Sequence, residues 1–330
     1  MAPNLRPPNL RQPNLRHMAG LAGTAAQTIG QTIGRSPRKL GMTVALCAVL
    51  AVLALVQILV PARDGVKGLR YTPASAADLA LFFDERAYAW PPGAESQDAI
   101  PRLFVTRLPR DLSDLASTDD RKSLFFRAVL PLVLAVNDEL RRDRARLLDL
   151  MDSGAEDWSE ADQAWFAEKL AYYRLTPDEH DLAQRLAGRM DELPVSLALA
   201  QAAEESGWGT SRFARQGNAL FGQWTTDGPG LVPGQRREGA DHKVRAFPSL
   251  LASVRSYMRN LNSHRAYADF RQVRQSLRHS GRAIKGALVV HTLTAYSERG
   301  DDYVTGLLTI MRANDLERLD DLRLALEPVG

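Results

Sequence analysis

The chain has 330 residues, enough for one large or two modest domains, and its 45% hydrophobic and 25% charged residues exclude a wholly disordered or polytopic membrane protein. Its formal net charge of +3 is uneven: six of the 42 Lys and Arg residues lie in residues 1–40, which hold no acid, so the remainder carries 36 basic against 39 acidic residues. The single cysteine, Cys47, excludes an intramolecular disulfide framework.

Residues 1–40 repeat Pro-Asn-Leu-Arg from Pro3, Pro8 and Pro13, and a proline-rich, apolar-poor stretch reads as a disordered basic tail. Residues 41–60 carry no charge, and about 20 apolar residues are what a helix needs to cross ~30 Å of hydrocarbon, so a transmembrane helix is expected. Arg35, Arg38 and Lys39 directly precede it, which orients the tail to the cytoplasm and the bulk of the chain outward, anchored in a bacterial inner membrane. Cleavage of a signal peptide near Ala62, releasing a secreted protein, is the alternative.

Residues 61–119 read as a linker and a weakly regular segment, with turn-prone Trp90-Pro91-Pro92-Gly93. A helical region is expected over 120–190. Leu124, Phe125, Ala128, Val129, Leu132, Val133, Val136 and Leu140 recur at helical steps, with Pro131 a candidate kink. Two further helices are expected over 159–173 and 177–189, each opened by capping spacing, Ser159 with Asp162 and Thr176 with Glu179.

Residues 191–330 hold the chemistry. A helix is expected over 194–205, with Pro194 at a first-turn position and Ser206-Gly207 ending it. Val195, Ala198, Leu199 and Ala202 form its apolar face, and Glu205 falls on the same side at the C-terminal end. The negative end of a helix, neighbouring Glu204 and partial burial all favour a protonated carboxyl, as a general acid requires, while basic surroundings oppose it. Those surroundings are marked: residues 206–300 hold 15 basic and 5 acidic residues. By spacing alone a helix-terminal glutamate such as Glu205 is usually just a solvated end, and Trp208 is equally explained as a core tryptophan.

The run Ala200-Gln-Ala-Ala-Glu-Glu-Ser-Gly-Trp-Gly-Thr-Ser-Arg-Phe-Ala214, followed by Gly217-Asn-Ala-Leu-Phe-Gly222, resembles the signature of bacterial endo-β-N-acetylglucosaminidases of glycoside hydrolase family 73. Residues 122–146 and 257–267 are similar to the bacterial Bax family. The resemblance implies a mainly α, lysozyme-like glucosaminidase domain with a small β-hairpin, preceded here by the helical region and the transmembrane helix. It implies peptidoglycan glycan strands as the partner, cleaved at N-acetylglucosaminyl β-1,4 bonds, with Glu205 as the general acid and no cofactor. The hairpin is expected over 230–247, where Glu238, with Asp241 behind it, is the candidate second carboxylate of a two-carboxylate mechanism. Trp208, Asn218, Trp224 and Tyr296 are the candidate substrate-binding residues, whereas Tyr303 is assigned to helix packing; the family's Tyr-Ala-Thr-Asp-x-x-Tyr segment is here one residue longer, between Tyr296 and Tyr303.

Other chemistries find little support. His242, His264, His279 and His291 lack zinc-site spacing, and no Gly-x-x-x-x-Gly-Lys-Ser/Thr loop is present, so no metal or nucleotide is expected. The basic face between Arg255 and Lys285 suits an anionic wall rather than nucleic acid. A lytic transglycosylase using Glu205 alone and a non-catalytic wall-binding or scaffold protein are the alternatives.

Overall fold

The computed structural model describes residues 66–93, 99–177, 179–234 and 241–326. The expected tail, the transmembrane helix at 41–60, Cys47, Ala62 and Glu238 lie outside them, and among the described residues no helix is long and apolar enough to cross a membrane. Lys67 onward forms one compact unit.

Its elements in chain order are β1 (Leu69–Tyr71), α1 (Ala76–Asp84), β2 (Ala99–Ile100), β3 (Leu103–Val105), α2 (Thr118–Ser153), α3 (Glu160–Tyr172) and α4 (Leu182–Arg189). Then come α5 (Val195–Ser206), α6 (Arg212–Gly217), β4 (Trp224–Thr225), β5 (Gly230–Leu231), β6 (Lys243–Arg245), α7 (Leu250–Ser263) and α8 (Ala268–His279). The last are α9 (Gly286–Val289), α10 (Asp301–Ala313) and β7 (Arg323–Leu324). The segment expected to be weakly regular is ordered: β1 and β3 pair in parallel, β2 pairs with β7, and α1 buries Leu79, Phe82 and Phe83.

Serine starts many of these helices. Ser75, Ser117, Ser159, Ser211 and Ser249 each accept a hydrogen bond from an N–H of the first turn of α1, α2, α3, α6 and α7, satisfying a donor that has no partner inside the helix. The Thr176 and Glu179 spacing misleads. Glu179 does accept from the Thr176 N–H and hydroxyl, but the pair closes a turn, and α4 begins only at Leu182.

α2 is the scaffold. It continues through Pro131, which has no N–H to give, and every residue from Leu124 to Asn137 is buried beneath α5, α7, α1 and β3. Burial on this scale offsets the roughly 3 kcal/mol that a proline costs inside a helix, since each large apolar side chain contributes about 1.5–3 kcal/mol.

α5 is not the one-faced helix its spacing suggests. Val195 to Ala203 are all buried, and α5 packs on α2, α9, α10 and the 3-10 turn at Leu316–Asp321. Its entry is fixed by polar groups: the Asn137 side chain exchanges two hydrogen bonds with the backbone of Leu193 (2.8 and 3.0 Å), and Asn262 donates to the Asp191 carbonyl (2.9 Å). Arg274, fully buried, donates to the carbonyls of Gly188, Asp191 and Glu192 and to Asn262 Oδ1. The Asp320 carboxylate accepts from the Ser196 N–H and hydroxyl at the first turn of α5 (2.7 and 2.9 Å) and from the Gly286 N–H (3.1 Å). A helix anchored in this way presents its other end, and Glu205, in a fixed place.

Candidate active site

α5 ends in a left-handed turn. Gly207, Trp208 and Gly209 have φ of 56°, 58° and 76°, and the turn is closed by Trp208 N–H to Ala203 O (2.8 Å) and Gly209 N–H to Ser206 Oγ (2.8 Å). Gly209 is needed for space as well as conformation, because a Cβ there would lie 2.5 Å from Leu108 Cδ1 and 3.0 Å from Phe125. Gly-x-Gly after the acid is therefore the device that turns the chain away within one residue of the helix end.

The Glu205 carboxylate is half-buried and lies against Gly222, whose missing side chain makes its place: a Cβ there would sit 2.8 Å from Glu205 Oε2. Gly222 also has φ +59°, so a side chain is disfavoured twice over. On the helix side the carboxylate accepts a hydrogen bond from the Tyr303 hydroxyl. Tyr303 in turn accepts from Gln201 Nε2 (2.9 Å), and Gln201 Oε1 accepts from the Tyr257 hydroxyl (2.6 Å). Gln201, Tyr257 and Tyr303 are fully buried. With the Gln201 amide donating to the Tyr303 oxygen, the phenolic hydrogen is left to point at Glu205, so donation runs in one direction from Tyr257 to the acid.

Burial raises the Glu205 carboxyl above the usual carboxylate range; the Tyr303 hydrogen bond opposes this, the charge of Glu204 adds to it, and Arg299 opposes it. Burial is the largest of these influences, and Arg299, the weakest, is engaged in an ion pair with Glu204. The C-terminal position in the helix therefore matters less than the wall around the carboxylate. That wall is aromatic: Phe221 stacks on Tyr257 at 3.9 Å, Tyr296 stacks on Tyr303 at 5.6 Å, and Tyr267 lies 5.9 Å from Tyr296. Tyr296 is half-buried and donates to the carbonyl of Phe221 (3.0 Å), next to Gly222. The phenols of Tyr257 and Tyr296 are pushed well up, chiefly by burial and also by the Glu205 charge, and stay protonated as donors.

A family model described as "Glucosaminidase: Mannosyl-glycoprotein endo-beta-N-acetylglucosaminidase" matches residues 180–316. The chain is also 32% identical over 212 residues to "Protein bax" of Escherichia coli (strain K12), across 62% of this chain and 73% of that protein. The chain belongs to the Bax family of glucosaminidase-domain proteins. The matched region runs from just before α4 to the turn after α10 and so contains Glu205, Gly222, Tyr296 and Tyr303; its glucosaminidase domain makes this Bax-family protein a glycoside hydrolase.

The remaining candidates of this Bax-family protein are dispersed. The hairpin is part of a three-stranded antiparallel sheet, with β6 between β4 and β5. Trp224, on β4, is 57% exposed with its ring edge-on to His242 (4.7 Å), two residues beyond Gly222, which is roughly 7 Å along an extended chain. Asp241 is exposed just before β6, outside the set of groups that shift Glu205. Asn218 is buried and committed to the fold: it takes a left-handed conformation after α6 and donates to the carbonyl of Phe247 (3.0 Å). Trp208 packs edge-on against Phe125 (6.1 Å) and Phe126 (5.3 Å) with Lys122 over its ring, which pins the exit of α5 to α2.

Tyr303 is the main correction. Expected only to pack a helix, it reaches the acid, while Gln201 and Tyr257, which complete the network, are not among the residues to which the sequence points. Gln201 is detectable in principle, since it lies four residues before Glu205 and hence one helical turn away on the same side. Tyr257 and Tyr303 come from distant segments that only the fold brings together. The basic face over 255–285 is also largely consumed internally. Arg255 pairs with Glu139, Arg278 with Asp191 and Lys285 with Asp321, while Arg259, Arg271 and Arg274 donate to backbone carbonyls. Among the described residues no group of three or more His, Cys, Asp or Glu side chains is placed to hold a metal ion.

Proposed function

We propose that this protein cleaves the glycan strands of peptidoglycan at N-acetylglucosaminyl β-1,4 bonds, with Glu205 as the general acid. The observation that carries this reading is a single half-buried carboxyl, raised by burial and gripped by Tyr303, beside an aromatic wall and an exposed tryptophan. In its protonated form Glu205 donates to the glycosidic oxygen as the carbon–oxygen bond breaks. The carboxylate left behind is the form that the Tyr303 hydroxyl binds best, because a hydrogen bond to a charged acceptor is about twice as strong as a neutral one. Trp224 offers an exposed ring to a sugar, while Tyr296, its hydroxyl donated to the Phe221 carbonyl, shapes the wall beside the acid. Glu238, or Asp241 behind it, is the proposed second carboxylate.

One observation favours a second reading, a lytic transglycosylase using Glu205 alone. Among the described carboxylates only Glu204 acts on Glu205, and it is neutralised by Arg299. The deciding experiment is mass spectrometry of purified peptidoglycan digested by the wild type and by Glu205→Gln and Glu238→Gln variants. Reducing N-acetylglucosamine ends that vanish in both variants are expected. Anhydro-muramic ends that survive in Glu238→Gln would establish the transglycosylase, and no cleavage by folded wild type would sink both readings in favour of a wall-binding protein.

We also propose that residues 41–60 anchor the protein in the inner membrane with residues 1–40 in the cytoplasm and the compact unit outside, supported by the basic residues that precede an uncharged apolar run. External protease on spheroplasts should remove a C-terminal tag and spare an N-terminal one; the opposite pattern would reverse the orientation.

A further inference from the structure

Most arginines around the compact unit are consumed by its own acids and carbonyls. At one place three gather, with no carboxylate among the described residues of the cleft that they line. Arg107, Arg110 and Arg215, with Gln216, line a cleft of about 330 Å³ between α6 and the segment leading into the 3-10 turn at Arg110–Asp114. Arg107 and Arg110 are exposed, and their side chains make no ion pair or hydrogen bond among the described residues. Arg215 is held in place from behind, donating to the Arg110 carbonyl (2.8 Å) and toward Ser113 Oγ (3.4 Å), while its Nε is buried without a hydrogen-bond partner. The acids of the turn are directed elsewhere: Asp111 accepts from the Ala76 N–H, and Asp114 from the Ser113 hydroxyl.

Like charges gathered without a counter-ion repel, and a buried unpaired donor is costly, so the cleft suits an anion from outside the chain. Planar guanidinium forks match carboxylates. α6 carries the cleft on one side and touches the sheet on another, where Gly217 packs against Leu231 and Ala246 and Arg212 donates to the Val232 carbonyl (2.6 Å). A helix is ~10 Å across, and an extended peptide covers that in about three residues.

We infer that this cleft is a subsite for the carboxylates of the peptide stems that hang from the glycan strand, an inference that rests on the peptidoglycan reading above. It would make the protein select stem-bearing, carboxylate-rich strands over bare sugar polymer, and it makes binding sensitive to salt.

The test is sedimentation of the full chain with insoluble peptidoglycan in about 0.15 M salt, using wild type and an Arg107→Ala/Arg110→Ala double variant. Both side chains are exposed and unpartnered, so the variant should melt with the wild type. Its affinity for native wall should fall roughly five- to tenfold, the difference should vanish on wall whose carboxyls have been amidated, and turnover of an uncharged chitin oligosaccharide should be unchanged. Equal binding of the two proteins to native wall, or a deficit that persists undiminished on amidated wall, would overturn the inference. So would a loss of binding confined to vesicles of anionic phospholipid. Sedimentation does not depend on cleavage, so an inactive wild type would count against the glycosidase reading and leave this result interpretable.

Discussion

Replacing Gly222 with alanine separates the geometry of the acid from the stability of the fold. The new methyl would lie 2.8 Å from Glu205 Oε2, whereas ordinary contact begins near 3.4 Å, so the carboxylate must retreat by about 0.6 Å. It is held on its other side by Tyr303, so the retreat breaks either that hydrogen bond or the alignment with substrate. A displacement near 1 Å typically costs about a hundredfold in rate, and roughly ten- to a hundredfold is expected here. Alanine at φ +59° also costs ~1–2 kcal/mol of stability. Gly281→Ala is the control, because Gly281 has φ +66° and the methyl of an alanine there would meet nothing within 4 Å. Urea denaturation should show both variants losing a similar ~1–2 kcal/mol. Wall-digestion kinetics should show only Gly222→Ala losing kcat. If the two retain activity within about threefold of each other, the placement of the Glu205 carboxylate against Gly222 is not what catalysis uses.

Tyr303→Phe removes the hydrogen bond that opposes the raised Glu205 carboxyl, so the acid should stay protonated to higher pH. The alkaline limb of kcat/KM against pH should move to higher pH, and a limb that stays or moves down would contradict the network. The same variant leaves Gln201 Nε2 buried without its acceptor, which should cost ~1–3 kcal/mol in denaturant unfolding. Asp320 gives a pH prediction for stability. Burial pushes its carboxyl up to about 6 from 3.8, so the folded state binds more protons between those values, and the contribution to stability present below pH 3.8 is lost as pH rises through about 6. The span corresponds to about 3 kcal/mol, and Asp320→Asn should flatten the dependence of unfolding free energy on pH across that window; an unchanged slope would refute the assignment.

Local features are legible in the chain. Helical spacing over 124–140 announces α2, serine caps mark where helices start, and the Glu-Ser-Gly-Trp-Gly run locates the helix end that bears the acid. These depend on neighbours within a turn, and such interactions are written in consecutive residues. The signal is weaker where local chemistry serves two purposes. Thr176 and Glu179 have cap spacing but close a turn, and Pro131 fits a kink but sits within a helix because burial outweighs its missing donor.

What the chain determines by itself is thus the carboxyl, its helix and its sharp glycine exit. Tertiary structure decides what surrounds the carboxyl. Tyr257 and Tyr303 lie 52 and 98 residues beyond Glu205 in the chain, and they converge on Gln201 only because α10 packs on α5 and α7 packs on α2. The same packing draws the arginines of 255–285 into internal pairs and leaves Arg107, Arg110 and Arg215 facing a common cleft. Charge and hydrogen-bonding capacity are properties of residue type, but whether a group is desolvated, paired or left open depends on which distant segment lies against it, and that is settled only when the core forms.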